Sequence, residues 1–337
     1  METSYFNLTK SAQKSLIQDV ALKLNLSDIA VEKDLWLCWV LGEIFKMPFK
    51  MAFKGGTSLS KVYQLISRFS EDIDITLDYR NFISESEVNN ATRSQLKKKS
   101  LILKSALEKT ILEYIIPALK ESVRNKFQEK EVDINLDDDG EKLYFYYPSL
   151  FVDENNYYRD HLLIEFGVRN VSEPSEGHAI KSLLSTFLDD ATLALPEAKV
   201  ETLSPIRTFW EKATLMHVEC HRNRFLEDPS RLSRHWYDLY MLGNSWVFDE
   251  AILNKQILES VVLHKKAFFN ASYAHYDDCL SGRFRLVPEE IGQNQLEVDY
   301  KKMKDAGMFL EEPPAFKDMI TWLQALEVKL SKREKND

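Results

Sequence analysis

The chain contains FKGGTSLSK at residues 53–61 and RFSEDIDI at residues 68–75, and these two stretches decide its fold. A short apolar run, Met51 to Phe53, leads into the glycines. Apolar residues then recur at helical spacing, at Leu59, Val62, Tyr63 and Ile66. Residues 70–77 alternate between polar and apolar positions, which predicts a half-buried strand. The pattern therefore predicts a strand, a tight turn, a helix and a returning strand.

The glycine turn predicts a site for an anion. Gly55 and Gly56 let the backbone approach a ligand closely, with φ values that other residues avoid. The amides at the start of the following helix, together with the hydroxyls of Thr57 and Ser58, would donate hydrogen bonds to a phosphate. The alternative is an ordinary turn that binds nothing.

Ser70, Asp72 and Asp74 form the polar side of the predicted strand, because residues two apart in a strand point to the same face. Two carboxylates this close repel each other unless a hard cation lies between them. Magnesium binds carboxylate oxygens together with substrate phosphates, and a pair of such ions can activate a hydroxyl and stabilise leaving pyrophosphate. The alternative is a solvated strand edge with two exposed acids.

These features together resemble a known family. A Gly-Gly turn followed, after a helix, by Asp-x-Asp is the signature of the polymerase-beta-like nucleotidyltransferase superfamily. The longer string from Arg68 to Asp74 is similar to the AbiEii/AbiGii toxin family, which includes the MenT toxins. The resemblance implies an α+β fold, with a nucleotidyltransferase-type mixed sheet flanked by helices and then a C-terminal helical domain. Many superfamily members have Gly-Ser where this chain has Gly56-Thr57-Ser58. The sequence therefore does not decide whether Thr57 or Ser58 contacts the phosphate.

The resemblance also implies a third acid. Glu165, in LLIEFG at residues 162–167, would hold metal together with Asp72 and Asp74. A lone acid among apolar strand residues is costly to bury without a partner, and a metal would supply one. An outward-facing residue or a salt bridge explains Glu165 equally well.

Two helical motifs complete the implied site. RTFWEK at residues 207–212 and SRHWYDL at residues 233–239 resemble the family's third and fourth motifs. By that likeness Lys212 would contact the triphosphate, and Asp238 would orient it or another group of the active site. The alternatives are a solvated helix lysine and an acid that pairs with Arg234 one turn earlier. The implied nucleotide-binding residues are Gly55, Gly56, Thr57, Ser58, Ser70 and Lys212.

Composition and periodicity set the wider organisation. A mixed nucleotidyltransferase domain with N-terminal helices is predicted over residues 1–203 and a helical domain over residues 204–337. Trp36 and Trp39 are predicted to be core rather than a stacking platform. The three cysteines form no CxxC pair, the N-terminus lacks a signal-peptide pattern, and no apolar stretch is long enough to span a bilayer. A cytoplasmic protein without membrane contact is expected.

Charge limits the possible partners. The net charge of −9 does not favour a general nucleic-acid coat protein, although a local basic patch can still bind RNA. Candidate patches are Lys97–Lys99 and a cluster of four arginines, namely Arg222, Arg224, Arg231 and Arg234. His217 and His221 stand four apart on a predicted helix, which is a spacing that can bind zinc, but packing or RNA contact is favoured because no third ligand is evident.

The sequence therefore predicts a nucleotidyltransferase that uses magnesium or manganese and a nucleoside triphosphate. The resemblance implies the 3′ end of tRNA as acceptor, a toxin's role in a toxin–antitoxin or phage-defence system, and a separately encoded antitoxin. Two alternatives are kept. One is transfer to a protein or small-molecule hydroxyl, and the other is a regulator that binds nucleotide without turnover.

Overall fold

The computed structural model describes residues 3–127, 132–152, 159–188, 193–222 and 231–332. The chain forms two compact units. We call the first the sheet unit; it comprises Met1–Val62, Phe69–Ala91 and Lys98–Leu203. We call the second the helical unit; it comprises Tyr63–Arg68, Thr92–Lys97 and Ser204–Asp337. Arg68 therefore belongs to the helical unit, although only three residues separate it in sequence from Asp72 of the sheet unit.

A seven-stranded mixed sheet is the framework of the sheet unit. Its spatial order is β4-β5-β6-β3-β2-β9-β7, with parallel pairing of β3 with β6 and of β2 with β9, and antiparallel pairing elsewhere. A separate two-stranded parallel sheet pairs β1 with β8. The strands are β1 Thr3–Ser4, β2 Met51–Lys54, β3 Ile73–Asp78, β4 Asp133–Leu136, β5 Lys142–Tyr146, β6 Leu162–Asn170, β7 Ser175–Lys181, β8 Leu193–Ala194 and β9 Glu197–Leu203.

Helices accompany the sheet and make up most of the described chain after Ser204. The earlier ones are α1 Lys10–Leu24, α2 Asp28–Ile44, α3 Gly55–Lys61, α4 Glu85–Asn89, α5 Arg93–Thr110 and α6 Ile116–Lys126. The later ones are α7 Pro205–His221, α8 Ser233–Gly243, α9 Trp246–Leu253, α10 Lys255–Phe268, α11 Tyr276–Leu280, α12 Glu290–Asp305 and α13 Phe316–Lys332. The predicted fold class, a mixed sheet flanked by helices and followed by a helical region, is confirmed.

Helix α2 ties several segments of the sheet unit together. Its N-terminus is capped by the Ser27 hydroxyl, which accepts a hydrogen bond from the Ala30 amide at 3.1 Å. Three consecutive charged residues of α2 are buried and each holds a different segment. Glu32 accepts a hydrogen bond from the Leu150 amide at 2.7 Å, while Asp34 accepts one from the Leu183 amide at 2.6 Å and pairs with Lys61. The third, Lys33, belongs to the site described below.

The aromatic residues of α2 are core, as predicted. Trp36 and Trp39 are both buried, and their rings contact Phe127 and Phe145 at centroid distances of 5.0–6.0 Å. Neither indole face is therefore open to stack on a nucleotide base. Within the described ranges, no helix combines the length and apolar content that a membrane span requires.

Several element boundaries differ from the sequence predictions. The strand predicted over residues 70–77 begins only at Ile73, so Ser70 and Asp72 precede it. The helix after the glycine turn ends at Lys61, before Tyr63 and Ile66. Between α5 and α6, a π-helical turn at Ile111–Ile115 interrupts the α-helical hydrogen bonding just before Pro117. A proline lacks the amide that would continue α-helical pairing into the preceding turn.

The prediction also missed β7 and β9, which complete the sheet beside β2. In β9, Ala198, Val200 and Thr202 are buried while the intervening residues are exposed. That alternation is a readable strand signal, although its charged residues and short length made it weak. Without β9, β2 would be an edge strand, and the glycine turn that follows β2 would lack a neighbour on one side.

Candidate active site

The glycine turn lies directly against Asp74. Gly55 has a φ of +77°, which side chains other than glycine rarely adopt. A Cβ placed on Gly55 would meet the Oδ2 atom of Asp74 at 1.9 Å, so only a hydrogen atom fits between this backbone and the carboxylate. The turn and the acids that the sequence placed together are therefore neighbours in the folded chain.

Two hydroxyls hold this turn in place. The Thr57 hydroxyl donates to the backbone carbonyl of Asp72 at 2.5 Å, and the Ser58 hydroxyl donates to the carbonyl of Gly55 at 3.0 Å. Both side chains are fully buried. Their protons are thus used inside the protein, so a phosphate at this turn would be bound by backbone amides at the start of α3, where a helix leaves amides without intrahelical partners. Ser70 is buried in the loop before β3, and its role in nucleotide binding stays a prediction.

Asp74 and Glu165 share one face of the sheet, and Asp72 lies just before the start of β3. Asp72 and Asp74 are partly exposed, whereas Ile73 and Ile75 between and after them are completely buried. In the parallel pairing of β3 with β6, Asp74 lies opposite Glu165. Residues opposite each other in a sheet project to the same side, so Glu165 stands beside Asp74 on this face.

Cations flank these acids. Lys54 on β2 lies opposite Asp74, and Lys142 on β5 lies opposite Glu165, so four charges cross the sheet in the order Lys54, Asp74, Glu165, Lys142. The Lys142 ammonium is 3.2 Å from the Oε1 atom of Glu165, and the charge of Glu165 raises the pKa of Lys142. The salt bridge that sequence analysis kept as an alternative for Glu165 is thus present.

Arg159 was missed by the sequence analysis. Its Nη1 atom donates to the Oδ1 atom of Asp72 at 2.7 Å, and its backbone amide donates to the Oε2 atom of Glu71 at 3.4 Å. Glu71 in turn forms a buried ion pair with Lys33 at 3.0 Å. Nothing around Arg159 forms a motif. Lys33 left one signal, since VEKDLW places three charges inside an apolar helix.

The carboxylate groups of Asp72, Asp74 and Glu165 are chemically suited to bind a divalent metal ion. Among the described residues, no three His, Cys, Asp or Glu side chains are gathered closely enough to form a finished metal site. The carboxylate of Asp74 nevertheless lies opposite Glu165, and Asp72 lies two residues before Asp74 in the chain. Hard oxygen donors of this kind are what magnesium and manganese bind. Asp72, Asp74 and Glu165 are the residues that would hold such an ion, and the guanidinium of Arg159 contacts one of them, Asp72.

Lys212 and Asp238 contact each other within the helical unit. The Nζ atom of Lys212 is 2.9 Å from the Oδ2 atom of Asp238, which is fully buried. Arg68 donates to the same carboxylate through both arms of its guanidinium, from Nε at 2.7 Å and from Nη2 at 2.8 Å. Burial alone would raise the pKa of Asp238, but the charges of Arg68 and Lys212 hold it well below its usual range. The carboxylate is therefore held by Arg68 and Lys212, not by Arg234 alone as the alternative explanation required.

His235 is a second neighbour of Lys212. Its Nδ1 atom is 3.3 Å from the Lys212 ammonium. Desolvation, followed by the charge of Lys212, lowers the pKa of His235 to about 3. The imidazole is therefore neutral near pH 7, and its Nδ1 can accept a hydrogen bond from the lysine. The sequence carried a signal for His235 only through its place in the fourth motif.

Helix α8, which carries His235 and Asp238, is fixed at its start by Asp299. The Asp299 carboxylate accepts hydrogen bonds from the amides of Arg231 and Ser233 at 2.7 and 2.8 Å, and from the Ser233 hydroxyl at 2.5 Å. An acid at a helix N-terminus satisfies amides that have no partner inside the helix. Asp299 therefore sets where the motif residues of α8 point.

The two candidate basic patches differ in how far their side chains are exposed. Arg222 pairs with Glu219 at 3.2 Å, Arg234 is buried, and Arg224 lies outside the described residues. Arg222 and Arg231 are partly exposed, so RNA contact by the described members of this cluster stays a prediction. Lys97 and Lys98 are exposed on α5 and remain available to an acidic partner.

The histidine pair on α7 serves packing. His217 is fully buried, its Nδ1 atom accepts a hydrogen bond from the Arg285 amide at 3.0 Å, and its Nε2 atom bonds the carbonyl of His275 at 3.2 Å. His221 bonds the carbonyl of His217 through its Nδ1 atom at 2.8 Å. Because both nitrogens of His217 are occupied by backbone groups, this residue has no lone pair for zinc.

Comparison with known proteins supplies the family. The model of a family described as nucleotidyl transferase AbiEii toxin, type IV toxin–antitoxin system, matches residues 48–322, which is more than half of the chain. A search of curated protein sequences found no match. Among solved structures, the chain is similar to MenT4, a nucleotidyltransferase toxin from Mycobacterium tuberculosis, with 16% identity and a TM-score of 0.47 over 97% of this chain and 88% of that one. The family match covers Asp72, Asp74 and Glu165, which we call the acid face, and also the Lys212–Asp238 pair. The chain belongs to the AbiEii family of nucleotidyl transferase toxins.

Proposed function

We propose that this nucleotidyltransferase moves a nucleotide from a nucleoside triphosphate to the 3′ end of tRNA, with magnesium or manganese as its metal ion. Pyrophosphate leaves in the reaction, and the modified tRNA no longer serves translation, so growth stops. A separately encoded antitoxin restrains the enzyme in the cytoplasm. All three cysteines are free and buried, which supports a reducing compartment.

The observation that carries the proposal is the contact between the Gly55 turn and Asp74. A phosphate held by the amides of this turn would lie next to the carboxylates that hold the metal. Nucleotidyl transfer depends mainly on the positioning and electrostatic stabilisation of the phosphates. Its central requirement is therefore that the phosphate site and the metal-binding carboxylates lie side by side.

Each residue has one task in this proposal. Asp72, Asp74 and Glu165 hold the metal, which when bound polarises the phosphates and activates the attacking hydroxyl. Gly55 and Gly56 bring backbone amides to the phosphates. Their neighbours Thr57, Ser58 and Ser70 support the turn and the loop before β3.

In the helical unit, Lys212 contributes a positive charge for the triphosphate, and Asp238 is a positioning residue that holds the Lys212 ammonium. The neutral imidazole of His235 limits the directions in which that ammonium can point. Arg68 keeps Asp238 ionised by bonding both of its oxygens.

The likeness of the motifs to the AbiEii/AbiGii toxins supports tRNA as the acceptor, and so do the exposed Lys97 and Lys98 on a protein of net negative charge. We expect nucleotide transfer to RNA to fall steeply with added salt. Binding of RNA phosphates by lysines releases counterions, and added salt makes that release less favourable.

The test is incubation of the purified protein with total RNA and each of the four labelled nucleoside triphosphates in turn, in magnesium or manganese. We expect label in RNA of tRNA size with one or two of the triphosphates, and none with Asp72→Asn. The matched control is Asp139→Asn, an exposed aspartate in the β4–β5 turn that pairs with Lys104 at 2.9 Å. It should label RNA as the wild type does.

The other outcomes separate the alternatives. Label in protein or in a small-molecule fraction would replace tRNA as the acceptor while keeping the chemistry. Binding of a triphosphate without release of pyrophosphate, in the presence of RNA, protein extract and small molecules, would contradict the enzymatic proposal and favour a nucleotide-binding regulator.

A further inference from the structure

Asp72 already has a cation in this structure. The Arg159 guanidinium donates to Asp72 Oδ1 at 2.7 Å, a length typical of a charge-assisted hydrogen bond. Neither side chain is fully exposed, since 31% of the Arg159 side chain and 18% of the Asp72 side chain are accessible. The contact is therefore better shielded from water than an ordinary surface pair.

Arg159 reaches this position because its backbone is anchored. Lys33 and Glu71 are both buried to 1% exposure, and Lys33 donates to the His161 carbonyl at 2.8 Å while it pairs with Glu71. Glu71 in turn accepts a hydrogen bond from the Arg159 amide. The buried pair thus holds the chain on both sides of Asp160, and the segment that carries Arg159 is tied to the loop that carries Asp72.

The contact of Lys142 with Glu165 provides a contrast. The Lys142 backbone is also held, because its amide donates to the Oδ1 atom of Asp137 at 3.0 Å in the β4–β5 hairpin. Its side-chain contact with Glu165 is nevertheless longer, at 3.2 Å, and nearly half of the Lys142 side chain is exposed. Of these two cations, Arg159 makes the shorter contact with an acid of the face and the one better shielded from water.

We infer that Arg159 is a built-in counter-cation that neutralises Asp72 when no metal is bound and competes with divalent cations for its carboxylate. This inference rests on the proposed function, since it assumes that Asp72 is a metal ligand. Arg159 lowers the repulsion between Asp72 and Asp74 in the metal-free enzyme. It thereby sets the metal concentration at which the acid face becomes loaded. Arg159 is a positioning residue, because it acts through Asp72.

The sign of the effect on metal affinity tests this inference. Manganese binding to the full-length protein is measured by the loss of the electron paramagnetic resonance signal of free Mn²⁺. We expect Arg159→Gln to bind Mn²⁺ about fivefold more tightly than the wild type, which is the equilibrium factor for a partly exposed ion pair worth about 1 kcal/mol. A purely structural role for Arg159 predicts the opposite, since a disordered Asp72 would bind more weakly.

The matched control is Arg169→Gln. Arg169 pairs with Glu141 at 2.9 Å, and about a quarter of each of these two side chains is exposed, so the substitution removes a similar ion pair from the same unit. It should leave the Mn²⁺ affinity unchanged. Arg159→Lys keeps the charge but loses the planar fork, and we expect it to tighten binding by a smaller factor. It replaces the glutamine variant in the test should that variant fail to fold.

The outcomes distinguish this inference from the proposed function. If the wild type binds Mn²⁺ and neither Arg159 variant binds it more tightly, the counter-cation role is wrong and the metal site stands. If Arg169→Gln tightens binding as much as Arg159→Gln, the effect is one of overall charge, and the inference is again wrong. If the wild type and every variant bind no Mn²⁺, the metal site itself is wrong and the inference falls with it.

Discussion

At the scale of single residues, the carboxylates predicted to be catalytic differ mainly in how deeply they are buried. Asp72 and Glu165 each pair with a partly exposed cation, whereas Asp238 is fully buried between Arg68 and Lys212. Substitution of an exposed pair changes stability little, while removal of one member of a buried pair leaves an uncompensated charge. A loss of activity therefore has a different meaning at each of these acids.

Asp238→Ala should lower the free energy of unfolding by about 3–5 kcal/mol, because it leaves the buried Arg68 and Lys212 without their counter-ion. Urea denaturation followed by circular dichroism measures this loss. Asp139→Ala, at an exposed aspartate, should leave the free energy of unfolding nearly unchanged. An Asp238 variant as stable as the wild type would show that the carboxylate is not the counter-ion of these two cations.

Lys212→Met should affect activity much more than stability. Asp238 keeps both hydrogen bonds from Arg68, so stability should change only modestly, while kcat for pyrophosphate release should fall roughly 100-fold, as is typical for loss of one group that stabilises developing charge. The control is Lys199→Met, at an exposed position of β9. Full activity of the Lys212 variant would contradict its role at the triphosphate.

At the scale of elements, the turn between β2 and α3 sets the geometry of the site. Its backbone, its two internal hydroxyl bonds and the Asp74 carboxylate form one packed arrangement. The short helix α3 then leads away after only two turns, and its buried Leu59 fixes it to the sheet unit. A change in the turn therefore moves the acid as well as the amides.

Gly55→Ala should abolish nucleotidyl transfer and destabilise the protein. The new Cβ would collide with Asp74 Oδ2, and the positive φ adds a cost of about 1–2 kcal/mol. Gly307→Ala separates these effects, because Gly307 has a similar φ of +66° but its Cβ would enter open space, with no heavy atom of another described segment within 4 Å. Gly307→Ala should lower the stability measured by thermal unfolding, because of its positive φ, but it should keep the wild-type rate of pyrophosphate release. Equal activity of both variants would refute the steric argument.

At the scale of the whole molecule, acid should destabilise the fold through His217. Burial, followed by the charge of His221, lowers the pKa of His217 to about 4, compared with 6.5 in the unfolded chain. Between these two values the unfolded state binds more protons, so stability falls as the pH drops below 6.5. From pH 7 to pH 5 this one group should cost roughly 2 kcal/mol.

Urea denaturation at the two pH values measures that loss, and His217→Gln is the comparison. The variant should be less stable at pH 7, because it disturbs the bonds to Arg285 and His275, but it should lose less between pH 7 and pH 5. An equal loss in both proteins would mean that His217 does not titrate in this range.

The sequence by itself determined the local elements and the chemistry of the motifs. The two stretches at residues 53–61 and 68–75 predicted a strand, a glycine turn, a helix and a returning strand, and β2, α3 and β3 follow in that order. The glycines and the Asp-x-Asp pattern indicated the nucleotidyltransferase family. Each of these signals depends on residues only a few positions apart, so backbone sterics and periodicity were sufficient to detect it.

Only the tertiary structure decided which charges meet. Arg159 is 87 residues from Asp72, Arg68 is 170 residues from Asp238, and β9 joins β2 from the far end of the sheet unit. No periodic pattern encodes such pairings, because they depend on loop paths and strand order and not on the spacing of neighbouring residues. The physical reason is that a buried or half-buried charge must find a partner in space, and many sequence positions could have supplied it.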